Sequence, residues 1–380
     1  MEKSVVIAGY KRSPFHFANK GQLTKVRPDD LVAAVIKALV AETGVDTDDV
    51  EDLILGNAVP EGEQGMNMAR YVVFLSDLPI KVGGTTVNRW CGSSMQAIHN
   101  AAGMIQLGGG DVFMCAGVES MTRVPMTGFN PSPNPGLLQR WPETYHSMGQ
   151  TAEAVAQKYQ VTRDTQQEFA VKSHQKAAKA REDGLLEAEI VPIETPDHGT
   201  VDQDGGIRPD TTAEALSGLK PAFLEDGTVT AGTSSPLTDG AVAVLVCTED
   251  YAKEKGLDIL ARIKAVACTG LEPEIMGMGP VEATRKALTR AGLEIGAIDL
   301  MELNEAFASQ SVACISELGI DPAKVNLDGG AIALGHPLGA SGGRITGKAA
   351  SLLKRTGGQY AVATMCIGGG QGIATVLEAV

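Results

Sequence analysis

Four short segments concentrate the groups in this chain that can do covalent chemistry. They are Val87-Asn88-Arg89-Trp90-Cys91-Gly92-Ser93-Ser94, Asn304-Glu305-Ala306-Phe307, the Gly-rich run Gly329 to Gly343 that contains His336, and Cys366-Ile367-Gly368-Gly369-Gly370. A cysteine becomes a nucleophile when a neighbouring base takes its proton, and histidine is the common base. His336 lies between Gly335 and Pro337, on rigid irregular backbone where helix or strand packing has little use for an imidazole. The N–H groups of Gly368 to Gly370 are bare backbone donors, the material of an oxyanion hole. That run lacks the Lys-Ser/Thr of a phosphate loop and is not followed by a Rossmann acidic residue, which excludes both kinds of nucleotide site.

The elements around Cys91 set its environment. Met95, Ile98, Ala102 and Ile105 recur at helical spacing, so a helix begins just past Gly92. Thr85, Thr86 and Val87 read as the end of a strand. Cys91 therefore sits at a strand-to-helix turn, beside the positive end of a helix, which is expected to lower its pKa. Gly92-Ser93 keep that turn small enough for a ligand to approach the backbone.

The wider chain repeats itself. A first strand is expected within Met1–Gly9, a helix from Pro28 to Glu42 stopped by Gly44, and a strand from Val50 to Leu55 ending at Gly56-Asn57-Ala58. About 248 residues later a similar series returns. Lys37-Ala38-Leu39 answers to Lys286-Ala287-Leu288, and Asp52 to Asn57 answers to Asp299 to Asn304. Val87-Asn88 answers to Val325-Asn326, and Cys115-Ala116-Gly117 to Cys366-Ile367-Gly368. Four matches in one order predict a duplicated βαβ-rich domain whose corresponding turns face a shared site. Between the halves, Pro125, Pro131, Pro133, Pro135 and Pro142 mark an irregular loop. Helices over Thr151–Tyr159 and Arg163–Glu182 and a mixed stretch to about Leu237 follow, and they match neither repeat. This is an insertion on the first half, the natural place for a ligand-binding subdomain.

Composition narrows the class. The 380 residues are 21% charged and 4% aromatic with 45 glycines, a Gly-rich α/β composition. The net charge of −14 argues against nucleic acid as a partner and obliges any anionic ligand to rely on local Lys and Arg. No apolar run is long enough to span a bilayer, and the N-terminus does not read as a signal peptide. The six cysteines show no CxxC pair and no zinc spacing, so no metal is expected and reduced thiols in a cytoplasmic protein are.

Taken together, the four chemical segments resemble the thiolase family, from the first strand to the C-terminus. The resemblance implies a five-layered αβαβα core from two duplicated domains, with an inserted loop domain that binds coenzyme A. On this sequence it implies an N-terminal domain over 1–250, containing the insertion at about 120–240, and a C-terminal domain over 257–380. It implies that Cys91 carries the acyl group as a thioester, that His336 activates it, and that Cys366 exchanges a proton with the α-carbon of acetyl-CoA. His336 and a water held by Asn304 would stabilise the enolate oxygen, and the N–H groups of Cys91 and Gly368 the acyl-enzyme oxyanion. Arg208 and Ser235 match family contacts to coenzyme A, with Lys220 nearby in sequence. Met148, Met276 and Phe307 match positions near the acyl group. No tightly bound cofactor is implied, coenzyme A being a co-substrate. A homodimer is implied; a dimer of dimers and a β-oxidation hydratase/dehydrogenase partner are left open.

Departures from the family's acetoacetyl-specific members point to one branch. Ser147-Met148-Gly149 stands where they carry His-Met-Gly, and the loop after Pro125 is short and Pro-rich where theirs builds tetramers. The runs Cys91-Gly92-Ser93-Ser94-Met95-Gln96-Ala97, Val124-Pro125-Met126 and Ala363-Thr364-Met365-Cys366 resemble β-oxidation thiolases more closely. The expected activity is thus thiolysis of 3-ketoacyl-CoA, with condensation of two acetyl-CoA as the alternative. A carrier-protein ketosynthase would need a second active-site histidine in place of Cys366, and a non-catalytic acyl-CoA scaffold would lack one of the catalytic groups.

Overall fold

The computed structural model describes residues 3–380, so Met1 and Glu2 of the expected first strand lie outside the described residues. The first half contains β1 (Val5–Arg12), β2 (His16–Phe17), α1 (Pro28–Thr43), β3 (Asp52–Gly56), α2 (Met68–Leu75), β4 (Gly83–Val87), α3 (Ser93–Gln106) and β5 (Val112–Ser120). The insertion carries α4 (Met148–Lys158) and α5 (Arg163–Glu182) before β6 (Thr238–Thr248) returns to the core. The second half contains β7 (Ala261–Gly270), α6 (Gly279–Ala291), β8 (Leu300–Leu303), α7 (Ala308–Leu318), α8 (Leu338–Thr356), β9 (Tyr360–Ile367) and β10 (Gln371–Glu378).

Local chemistry sets the ends of these elements. In α1, Pro28 occupies the first turn, Asp29 and Asp30 complement the positive helix end, and Gly44 ends the helix at φ 64°. The helix expected from Thr151 starts earlier, at Met148, because Ser147 and Gln150 form a reciprocal capping box. The Pro-rich stretch expected to be irregular holds a short helix, Pro135–Arg140, capped by Asn134.

These ten strands form one sheet in the order β8-β9-β10-β7-β1-β6-β5-β3-β4, with β2 against β6, apart from a two-stranded hairpin in the insertion (Ile193–Thr195 with Gly199–Val201). The duplication is visible in this order: β1-β6-β5-β3 and β7-β10-β9-β8 are the same series with the same pairing senses, meeting where Val6 and Ile7 pair with Arg262 and Ala261. The copies differ at one edge. The counterpart of β4 is reduced to a single parallel bridge between Met301 and Val325.

Strand alternation separates the layers. In β6, Val242, Val244 and Val246 face α3 and α8, whereas Ala241, Ala243, Leu245 and Cys247 face α1 and α2. The outer face of the second half packs on α6 and α7. Thus α3 and α8 form a central layer between the two half-sheets, and α8 is buried along nearly its whole length. Five layers, αβαβα, result. Buried charges lock the insertion to this core. Arg12 on β1 pairs with Glu189 at 2.8 Å and Asp204 at 2.7 Å, and Lys348 on α8 pairs with the same Glu189 at 2.8 Å and with Asp328 at 2.6 Å. Each such pair is satisfied, and removing one partner would leave the other charge buried alone.

Candidate active site

A cavity of about 620 Å³ opens between the ends of the two half-sheets and the insertion, and Cys91, His336 and Cys366 all line it. A slightly larger cavity, about 670 Å³, lies between α5 and α7, but it holds no thiol and no imidazole. The chemistry therefore belongs to the smaller one.

Cys91 is placed by a laced turn. Trp90 adopts φ 45°, a left-handed conformation that costs a bulky residue about 1–3 kcal/mol. Side chains hold it there. Asn88 Oδ1 accepts from the Trp90 N–H at 2.8 Å, and Ser93 Oγ accepts from the Arg89 N–H at 2.9 Å while donating to the Trp90 carbonyl at 2.6 Å. Gly117, within β5, makes room: a Cβ there would stand 2.5 Å from Ser94 Cβ and 2.3 Å from the Gly339 carbonyl oxygen. That glycine lets the Cys91 turn and the histidine loop meet.

Backbone donors are present, since the N–H groups of Gly368, just past β9, and of Cys91 itself, just ahead of α3, face the sulfur. They do not lower its pKa below the usual value. Burial pushes the Cys91 thiol up to about 12, and the nearby Glu119 carboxylate adds to the rise. The sequence-based expectation of a lowered pKa is corrected here, for a physical reason: desolvation of the sulfur outweighs two backbone dipoles.

His336 follows Gly335, whose φ of 117° only glycine tolerates well, and its own N–H donates to Thr238 Oγ1 at 3.0 Å. Its Nδ1 lies 2.5 Å from Ser341 Oγ, a hydroxyl that also reaches the Pro337 carbonyl at 3.0 Å. Its Nε2 lies 3.3 Å from the Asn304 side-chain amide nitrogen, which can only donate. This pattern places the ring proton on Nδ1 and the lone pair on Nε2. Burial, then the charge of Arg344, lowers the His336 pKa to about 3. The resting pair is a neutral thiol and a neutral imidazole whose Nε2 lone pair accepts from the Asn304 amide.

Cys366, at the end of β9, is 2% exposed. Burial holds its thiol well above the ordinary value, and proximity to Cys91 raises it further, so it rests protonated. Asn304 is fully buried, and its Oδ1 has no protein partner.

The remaining expected residues divide. Met148, Met276 and Phe307 line the cavity, with Phe307 meeting Phe223 edge-on at 5.8 Å. Arg208 and Ser235 line it as well. Ser235 also ties the insertion to the Asn304–Phe307 segment, its N–H and Oγ–H both donating to the Ala306 carbonyl at 2.9 and 3.0 Å. Lys220 is exposed and is not among the cavity's lining residues, although Leu219 and Ala222 are.

Three contributors were not anticipated. Ser341 orients the imidazole from five residues downstream. Glu119, 1% exposed, accepts from the N–H groups of Ala58 and Gly339, each at 2.9 Å, and from Gln64 Nε2 at 2.7 Å, joining the two halves behind Cys91. A carboxylate ending the apolar strand Val112–Ser120 was the available signal for it. Lys20 lines the cavity from the far end of the chain and had no local signal. Among the described residues no group of three or more His, Cys, Asp or Glu side chains could hold a metal ion.

Comparison with known proteins agrees with this geometry. Residues 5–250 match the family model described as thiolase, N-terminal domain, and residues 257–379 the one described as thiolase, C-terminal domain. A 3-ketoacyl-CoA thiolase of Bacillus subtilis (strain 168) is 49% identical over 390 residues, covering 100% of both chains. One of Marinobacter nauticus is 47% identical over 386 residues, covering 99% of this chain and 98% of the relative. Human mitochondrial 3-ketoacyl-CoA thiolase in complex with CoA superposes with a TM-score of 0.92 at 38% identity, covering 100% of this chain and 98% of that one. The Bacillus anthracis acetyl-CoA acetyltransferase also superposes at 0.92, with 39% identity and coverage of 100% and 99%.

Proposed function

The chain belongs to the thiolase family, and we propose that it cleaves 3-ketoacyl-CoA with free coenzyme A, giving acetyl-CoA and an acyl-CoA two carbons shorter. One observation carries the mechanism: a thiol, a neutral imidazole unprotonated at Nε2 and a second buried thiol share one apolar cavity.

The steps follow from these groups. His336 Nε2 takes the Cys91 proton as the sulfur attacks the ketone carbon of the substrate, so the ion pair forms only as the bond does. The N–H groups of Cys91 and Gly368, already aimed at the sulfur, are positioned to hold the resulting oxyanion. Collapse breaks the bond between the ketone carbon and the α-carbon, leaving an acyl-enzyme thioester on Cys91 and the enolate of acetyl-CoA. Cys366 gives its proton to that α-carbon, while His336 and Asn304 stabilise the enolate oxygen. The unpartnered Asn304 Oδ1 supports a water at this point, having no protein group to bond. Coenzyme A then attacks the thioester, its thiol proton passing to Cys366 and the His336 proton returning to Cys91. Atoms and charges close over the cycle.

The cavity's volume and its Met and Phe lining support chains longer than acetoacetyl, as do the names of the curated relatives. No second imidazole lines the cavity among the described residues, which weighs against a decarboxylating ketosynthase. A rate series over 3-ketoacyl-CoA substrates from about four to sixteen carbons tests the proposal; activity confined to the four-carbon substrate would leave only the acetoacetyl reading.

A homodimer belongs to the same proposal. The outer edge of β4 pairs with no strand among the described residues, and Tyr71, Phe74, Ile80 and Trp90 are exposed on the elements beside it. All six cysteines are free thiols, which supports a reducing compartment such as the cytoplasm. No helix among the described residues is long and apolar enough to cross a membrane.

A further inference from the structure

We propose that Lys20 and Phe17 join Arg208 in a phosphate-binding lip at the open end of the coenzyme A cavity, with Lys20 supplying a cation for the nucleotide end of coenzyme A. This rests on the thiolase reading above and deepens it.

The cavity runs from buried reacting groups to a charged rim. Cys91, His336 and Cys366 are 9%, 6% and 2% exposed, whereas Lys20 and Arg208 are exposed and line the same cavity. Local structure brings the two cations together from positions 188 residues apart (208 minus 20). Pairing of Phe17 with Thr238 and of the Ala18 N–H with the Leu237 carbonyl at 2.8 Å pins the first segment to the start of β6. Asn19 then turns the chain in a left-handed conformation, φ 64°, with its N–H on Thr122 Oγ1 at 2.7 Å. This carries Lys20 back over the Phe17 ring, its Nζ 5.1 Å from the centroid. The Arg208 guanidinium stands 5.4 Å from the same centroid, its backbone N–H held by His174 Nδ1 at 3.2 Å.

Two like charges on one ring repel, and neither Lys20 nor Arg208 forms an ion pair with a carboxylate among the described residues. The attraction of each cation to the ring is worth about 0.5–1 kcal/mol at an exposed site, so it offsets only part of that repulsion. An anion within reach of both offsets the repulsion and gains charge-assisted contacts. In a chain of net charge −14, such a local reversal of sign is what an anionic substrate needs to enter. The matching chemistry is a phosphate group at the end of a ligand whose thioester reaches Cys91.

The test compares Lys20→Ala, Lys20→Glu and Lys20→Arg with wild type, using coenzyme A, 3′-dephospho-coenzyme A and pantetheine as the thiol and as the carrier of the 3-ketoacyl group. Lys20→Ala should raise KM for the coenzyme A pair about 2- to 5-fold and Lys20→Glu about 10-fold, the range of exposed ion pairs, with kcat moving much less. Lys20→Arg should restore KM. With pantetheine substrates all four proteins should agree in KM. A penalty that vanishes with 3′-dephospho-coenzyme A supports contact with the 3′-phosphate, and one that persists supports contact with the pyrophosphate. Unchanged KM for coenzyme A in both Lys20→Ala and Lys20→Glu, or an equal rise with pantetheine, overturns the proposal. Absence of thiolysis in wild type would instead overturn the reading on which it rests.

Discussion

His336 Nδ1 and Ser341 Oγ lie 2.5 Å apart, so the imidazole proposed as the base is oriented by a hydroxyl from the first turn of the helix that follows it. The bond fixes the ring proton on Nδ1 and leaves Nε2 unprotonated. Loss of that partner lets the imidazole take the wrong tautomer or rotate. Ser341→Ala should therefore lower kcat for thiolysis by about 10- to 100-fold, less than loss of the base itself. The rate of Cys91 alkylation by iodoacetamide should fall in parallel, with circular dichroism unchanged. Wild-type alkylation and kcat in this variant would show that Ser341 does not position the base.

The pKa values of the resting pair make a second measurement sharp. His336 titrates near 3 and Cys91 near 12, so between these limits the pair keeps one protonation state. Alkylation of Cys91 should then vary little between pH 5.5 and 8.5, because His336 is already neutral and the thiol has not begun to ionise. In His336→Ala the assisted route is gone, and the rate should climb about tenfold per pH unit as hydroxide removes the proton. A single ionisation near pH 6.5 in the wild-type profile would contradict a neutral pair.

The β4 edge yields an assembly prediction. Light scattering at micromolar concentration should report a dimer, and Ile80→Asp, which places a charge on a residue 77% exposed in the single chain, should shift it toward monomer. A wild-type monomer, or a stable tetramer insensitive to this change, would show that the interface lies elsewhere.

Much of the site was legible because its chemistry is carried by short local patterns. Cysteine before Gly-Ser-Ser and cysteine shortly before three glycines each follow or end a strand, whereas histidine between glycine and proline, expected at a strand-to-loop turn, lies between the short helix Ala331–Leu334 and α8; the internal repeat gathered these segments around one centre. The edge strand missing from the second copy was not legible, since Val325-Asn326 keeps the residue types of Val87-Asn88 while pairing only once. Nor was the direction of the Cys91 shift. A helix end is visible in sequence, but the depth at which it is buried depends on the whole central layer. Ser341 and Glu119 act through contacts spanning 5 and 220 residues, and Lys20 shares a ring with Arg208, 188 residues further on; of the three only Glu119, a carboxylate near the end of an apolar strand, carried a local signal.

The central claim is that the two thiols divide the reaction, Cys91 carrying the acyl group and Cys366 moving the α-carbon proton. Cys366→Ser separates these roles, since a serine hydroxyl nearly preserves shape but is too weak an acid to serve the enolate. Exchange of labelled coenzyme A into acetyl-CoA creates no carbanion and needs Cys91, His336 and the Gly368 N–H. The measurement is that exchange alongside deuterium uptake at the acetyl methyl group, followed by NMR in D2O. The account predicts that the variant keeps much of the coenzyme A exchange while methyl deuteration and thiolysis fall together by about 10²- to 10⁴-fold. Collapse of coenzyme A exchange with methyl deuteration intact would mean that the roles of Cys91 and Cys366 are reversed.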